Sequence, residues 1–182
     1  MNEPVDILKI NEVLAEKFLR IEESLPTYLT IKDLFEKLLA RIEEEFQIPF
    51  IWISILNEEN AIDIIKALKS SHILKDRVNI IDRTVFLNLV AESTMPRLIN
   101  DNLKPFYKLL PRNKKYFIKS LAIAPITLNS AIIGSINYGD FSSLRYQPGM
   151  DTTLLERLAC NVSARLSVIM TGGNDICNSI IK

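Results

Sequence analysis

The chain has 182 residues, 48% of them hydrophobic, and its 22 basic and 22 acidic side chains cancel to a net charge of +0 at pH 7. That length fits one domain with a substantial core, and the balanced charge supplies no overall positive field to hold nucleic acid or an anionic membrane. The first residues lack a basic start and an apolar run, and no stretch approaches the ~20 apolar residues of a spanning helix, so a cytoplasmic protein is expected.

Residues 5–25 read as a helix with Ile7, Leu14, Phe18, Ile21 and Leu25 at alternating three- and four-residue steps, and Asn11 on the same seam. A lone Asn on such a seam is a register device in parallel paired helices, because its amide is buried only against a partner amide. The alternative is that this helix covers its own domain. After Pro26, Thr30 caps a second helix, with Asp33 three residues on and Ile31, Leu34, Phe35, Leu38, Leu39, Ile42 and Phe46 on one face. Glu43, Glu44 and Glu45 lie near its end and carry no evident function.

Pro49 precedes a β-branched and aromatic run at 50–56, a central strand with Phe50, Trp52, Ser54 and Leu56 on one face and Ile51, Ile53 and Ile55 on the other. Residues 62–68 are expected as a second strand, although their pattern also tolerates a helix. Asp82 caps a short helix carrying Val85, Phe86, Leu89 and Val90, and residues 97–100 fit an edge strand after Pro96. Residues 103–115, interrupted by Pro105 and Pro111, read as a short helix and loop. Two strands at 121–128 and 131–138, joined at Asn129 and Ser130, form a closing hairpin. A polar connection leads to a last helix from about Asp151, with Leu154, Leu155, Leu158, Val162, Leu166 and Ile169 in one stripe and Gly172-Gly173 as its stop. All five glycines lie from Gly134 onward, and none matches a phosphate-loop or dinucleotide spacing. Cys160 and Cys177 suggest neither a disulfide framework nor a metal motif.

The segments Lys119-Ser-Leu-Ala-Ile-Ala-Pro-Ile-Thr127 and Ala131-Ile-Ile-Gly-Ser-Ile-Asn137, followed by the terminal helix, resemble the GAF domains, relatives of PAS sensors, over residues 28–170. More narrowly, Gly139-Asp140, Arg145-Tyr146, Pro148-Gly-Met-Asp-Thr152 and Leu154-Leu-Glu-Arg-Leu-Ala159 are similar to a bacterial GAF-like family of unknown function. The resemblance implies an α+β fold: an antiparallel sheet with N- and C-terminal helices packed on one face and a variable helical segment over the other. It divides the chain into an N-terminal helix at 1–27 for dimerisation or signalling, a domain at 28–171 and a tail at 172–182. It also implies a small-molecule pocket between the sheet and the middle segment, and a homodimer through the terminal helices. Cyclic-nucleotide-binding members carry Asn-Lys and then Phe-Asp-Glu; here Asn113-Lys114 is present, but Ile118 and Lys119 follow Tyr116-Phe117. Bilin-binding and methionine sulfoxide reductase members need cysteines in the pocket region, where this chain has none.

His72 is the only histidine and has no nearby His, Cys or carboxylate pair in sequence, and the serine pairs Ser70-Ser71 and Ser142-Ser143 have no visible base. No enzyme, metal or identifiable cofactor is indicated. Polar and aromatic residues on otherwise apolar strands are the candidates for ligand contact: Trp52, Ser54, Ser120, Ser135, Asn137 and Tyr138, with Tyr116 from the middle segment and Asp140 and Arg145 beyond the hairpin. The competing reading has Asp140 and Arg145 fixing the connection and Trp52 filling the core. The functional expectation is a sensory module that binds a small molecule in a cavity lined by Trp52, Tyr138 and residues 103–117. The alternative is a ligand-free dimerisation or interaction domain whose pocket is filled by its own side chains.

Overall fold

The computed structural model describes residues 4–178. Five helices, α1 (Pro4–Ser24), α2 (Ile31–Phe46), α3 (Ile62–Ser70), α4 (Arg83–Val90) and α5 (Thr153–Asn178), accompany five strands, β1 (Phe50–Leu56), β2 (Val78–Ile81), β3 (Arg97–Ile99), β4 (Ser120–Leu128) and β5 (Ala131–Asp140). The strands form one sheet in the order β2-β1-β5-β4-β3, antiparallel except for the parallel β1–β2 pair.

Local chemistry fixes most of these boundaries. The Thr30 hydroxyl accepts the Asp33 N–H at 3.0 Å, and the Asp82 carboxylate accepts the Val85 N–H at 3.1 Å, so both expected caps satisfy helix donors that lack an internal partner. Asn129 and Ser130 both take positive φ, 50° and 66°, the backbone twist that a two-residue hairpin loop demands. Three expectations are corrected. Residues 62–68 form α3 rather than a strand, because Ile64 and Leu68 sit four apart and share one buried face. The strand beside β1 is instead the short, parallel β2. Gly172 and Gly173 do not stop α5, which runs on to Asn178; the side chain of Cys177 and the end of the expected tail lie outside the described residues.

Pairing across the sheet sorts the side chains by face. Ile51, Ile53 and Ile55 lie with Ala122, Ala124, Ile136 and Tyr138 in a core closed by α2, α5 and the C-terminal half of α1. Trp52 and Leu56 lie with Leu121 and Ile123 on the other face, beneath α4 and residues 103–118. A bulge in β5 shifts its register against β4 between Ile126 and Thr127. The Ser163 hydroxyl of α5 accepts the Thr127 N–H at 2.9 Å and donates to the Ala159 carbonyl at 2.7 Å, so the bulge is bound to the helix above it. Helix α1 is fastened by Arg20 to Glu45 at 2.8 Å and by Glu22 to Arg157 at 2.9 Å, and Phe18, Ile21 and Leu25 are buried. Ahead of them, residues 6–14 are all exposed.

Candidate functional site

The face beneath residues 103–118 is where a pocket is expected, and side chains fill it. Trp52 is only 2% exposed and packs with Phe86, Phe106, Leu109, Leu110 and Ile118. Its indole N–H donates to the Leu109 carbonyl at 2.9 Å, which fixes the covering segment to the central strand. Gly139 makes room for this arrangement. A Cβ there would stand 3.0 Å from the Ile118 side chain and 3.2 Å from the Trp52 ring.

Three polar side chains occupy the same face of the sheet. Asn137 pairs across the strands with Trp52 and donates to the Ser54 hydroxyl at 3.0 Å, while the Ser135 hydroxyl donates to the Asn137 side-chain oxygen at 2.8 Å. Ser54, Ser135 and Asn137 are all fully buried. The chain Ser135-Asn137-Ser54 thus satisfies within the protein groups that would be costly to bury alone.

The structure does not bring the expected site residues together. Tyr138 pairs with Ile51 and points to the helical face, so one cavity cannot be lined by both Tyr138 and Trp52. Ser120 donates to the Ser142 carbonyl at 2.6 Å. The Asp140 carboxylate accepts the Ser142 N–H at 2.8 Å and pairs with Arg145 at 2.9 Å, and Arg145 also donates to the Phe46 carbonyl at 2.6 Å. These contacts hold the β5–α5 connection against the end of α2, as the competing reading of the sequence has it. Tyr116 is 75% exposed and takes part in none of these contacts.

The Tyr138 and Tyr146 hydroxyls are buried without a hydrogen-bond partner among the described residues. Burial, and to a lesser degree the neighbouring Tyr146, pushes the Tyr138 phenol far above its ordinary value near 10.0. Its neutral form is therefore the folded form. Because the folded pKa is raised, the associated stability is present below pH ~10 and is lost as pH climbs further. Tyr138→Phe removes the orphaned hydroxyl and is expected to raise stability by up to about 1 kcal/mol and to flatten the alkaline loss, both read from urea unfolding across pH.

A second concavity, of about 400 Å³, opens at the end of the sheet between residues 100–107 and 115–119. Lys104, Lys115, Lys119, Tyr107, Tyr116 and Asn100 line it. Of this group Tyr116 is the one named candidate, and Lys104, Tyr107 and Lys115 fall within the segment 103–117 expected to line a cavity. The signal for the rest was present: Lys104, Lys108, Arg112, Lys114, Lys115 and Lys119 follow one another with no acidic residue between Asp101 and Asp140. The net charge of the whole chain conceals this run. Among the described residues no group of His, Cys, Asp and Glu could hold a metal ion, His72 is exposed, and no helix is long and apolar enough to cross a membrane.

The chain is similar to a solved structure: the GAF domain from Acinetobacter phosphoenolpyruvate-protein phosphotransferase superposes with a TM-score of 0.54 at 10% sequence identity, covering 87% of this chain and 96% of that one. The fold is GAF-like. No family model matches the sequence and no curated protein matches it, so the narrower likeness to one GAF-like family rests on its motifs alone. In this GAF-like domain the space under the middle segment holds Trp52.

Proposed function

We propose that this chain is a non-enzymatic, cytoplasmic regulatory module of GAF fold that acts as a homodimer through its terminal helices, with the domain interior filled by its own side chains. The observation that carries the reading is the seam of α1. Phe18, Ile21 and Leu25 are buried in the domain, and the same face continues as Ile7 at 50%, Ile10 at 58% and Leu14 at 38% exposure. A helical segment this short is marginal in water without a packing partner. Asn11 lies on this face, where a parallel second copy would supply the amide that its own amide needs.

The test is a cross-link. In a background lacking Cys160 and Cys177, Asn11→Cys is expected to form a disulfide-linked dimer on mild oxidation, while Lys9→Cys, on the opposite side of the helix, is not. Equal cross-linking at both positions, or none at position 11, contradicts the parallel pairing.

A ligand-sensing form of this reading requires a small molecule to displace the indole of Trp52 and reach the buried Ser135-Asn137-Ser54 chain. Such a ligand would have to favour one arrangement of the terminal helices over another to transmit its presence. Because Trp52 is the only tryptophan, its displacement would appear as a red shift in intrinsic fluorescence.

A further inference from the structure

We infer that the open cleft at the end of the sheet, between residues 100–107 and 115–119, is a binding site for a small organic anion that carries a phosphate group beside a planar ring. The inference is independent of the association of α1. It places recognition outside the filled interior.

Three lysines, Lys104, Lys115 and Lys119, line the cleft, and none of them forms an ion pair among the described residues. Asp101 is the one acid on the rim, and its carboxylate accepts the Asn102 N–H at 2.8 Å. Like charges gathered without counter-charges raise the local potential, and an anion with two negative charges relieves it. The most closely engaged of the three is Lys115, whose ammonium stands 5.0 Å from the Tyr116 ring centre and 5.5 Å from that of Tyr107. The two rings meet edge to face at 6.2 Å. These contacts steady Lys115 on an aromatic base and leave Tyr116 exposed.

The volume, about 400 Å³, suits a small molecule and is too little for a folded partner. A phosphate fits the cations because its oxygens accept from several ammonium groups at once. A planar ring fits the exposed Tyr116, since aromatic faces stack without regard to ring identity. The floor of the cleft supports these parts rigidly. Ile118 is buried against Trp52, and the Asn100 amide donates to the Ser143 carbonyl at 3.0 Å.

The experiment uses the full chain labelled with nitrogen-15 at low salt, titrated separately with phenyl phosphate, inorganic phosphate and phenol while amide shifts are followed. Saturable shifts are expected at residues 104, 107 and 115–119, with phenyl phosphate several-fold tighter than inorganic phosphate and phenol without effect. Lys104→Gln with Lys119→Gln should weaken both phosphate probes by about tenfold. Tyr116→Ala should remove the advantage of phenyl phosphate and leave inorganic phosphate unchanged. Shifts that spread over all surface lysines without saturating, equal affinities for the two probes, or indifference to the lysine double variant would each overturn the assignment. Saturable attachment to vesicles containing an anionic lipid, with no response to phenyl phosphate, would overturn it in favour of a lipid headgroup.

Discussion

Trp52→Ala is expected to lower the unfolding free energy by about 3–5 kcal/mol, the cost typical of emptying a large aromatic site in a core that cannot collapse around the gap. Two losses combine. The indole is surrounded by Phe86, Phe106, Leu110 and Ile118, and deleting it leaves a void between the sheet and its cover. Its N–H also holds the Leu109 carbonyl, so the covering segment loses its hydrogen bond to β1. Trp52→Phe separates the terms, because it keeps much of the volume and removes the hydrogen bond; its cost should be about 1–3 kcal/mol. Urea unfolding measures both. A loss under about 1 kcal/mol for Trp52→Ala would mean that the site under the middle segment is not packed.

Gly134→Ala is expected to be at least as damaging, by more than about 3 kcal/mol or by preventing folding altogether. A Cβ at this position would stand 2.0 Å from the Ser54 carbonyl oxygen and 3.1 Å from the Ile55 Cα. Both are backbone atoms of the paired central strand, so neither can swing aside. Gly134 lies next to the bulge in β5. The check is soluble expression followed by circular dichroism and thermal melting, with Gly172→Ala as the control. A Cβ at Gly172 meets nothing within 4 Å, so that substitution should leave the melting temperature nearly unchanged. Similar behaviour of the two variants would contradict the close approach of β1 and β5.

The parts of this fold that were legible in the sequence are those set by neighbours along the chain. The hairpin at Asn129-Ser130, the Thr30 and Asp82 caps and the face of α2 each follow from a few consecutive side chains. What was not legible depends on partners distant in sequence. Trp52 and Tyr138 looked like two walls of one cavity because each carries a polar handle on a strand. Only the pairing of Trp52 with Asn137 and of Ile51 with Tyr138 puts them on opposite faces. β2 is four residues long and mostly half-buried, so it lacks both the apolar run of a central strand and the clean alternation of a half-exposed one. The pattern at 62–68 admits both strand and helix, and the burial of Ile64 and Leu68 on one face decides for the helix.

The candidate site divides in the same way. The alternative that Asp140 and Arg145 fix the β5–α5 connection was already open in the sequence, and their mutual ion pair realises it. The role of Asn137 as the joint between Ser54 and Ser135 needed the register of β1 against β5.

Sedimentation velocity of the full chain beside an Ile10→Asp, Leu14→Asp double variant tests the central claim most directly. Both residues are exposed on α1 and neither belongs to the packed core, so the variant should fold as the native chain does. The expected result is a dimer for the native chain and a monomer for the variant, with matching thermal melts for a common dilute sample in which both are monomeric. A native chain that sediments as a monomer at every concentration, or a variant that remains dimeric, would contradict association through α1.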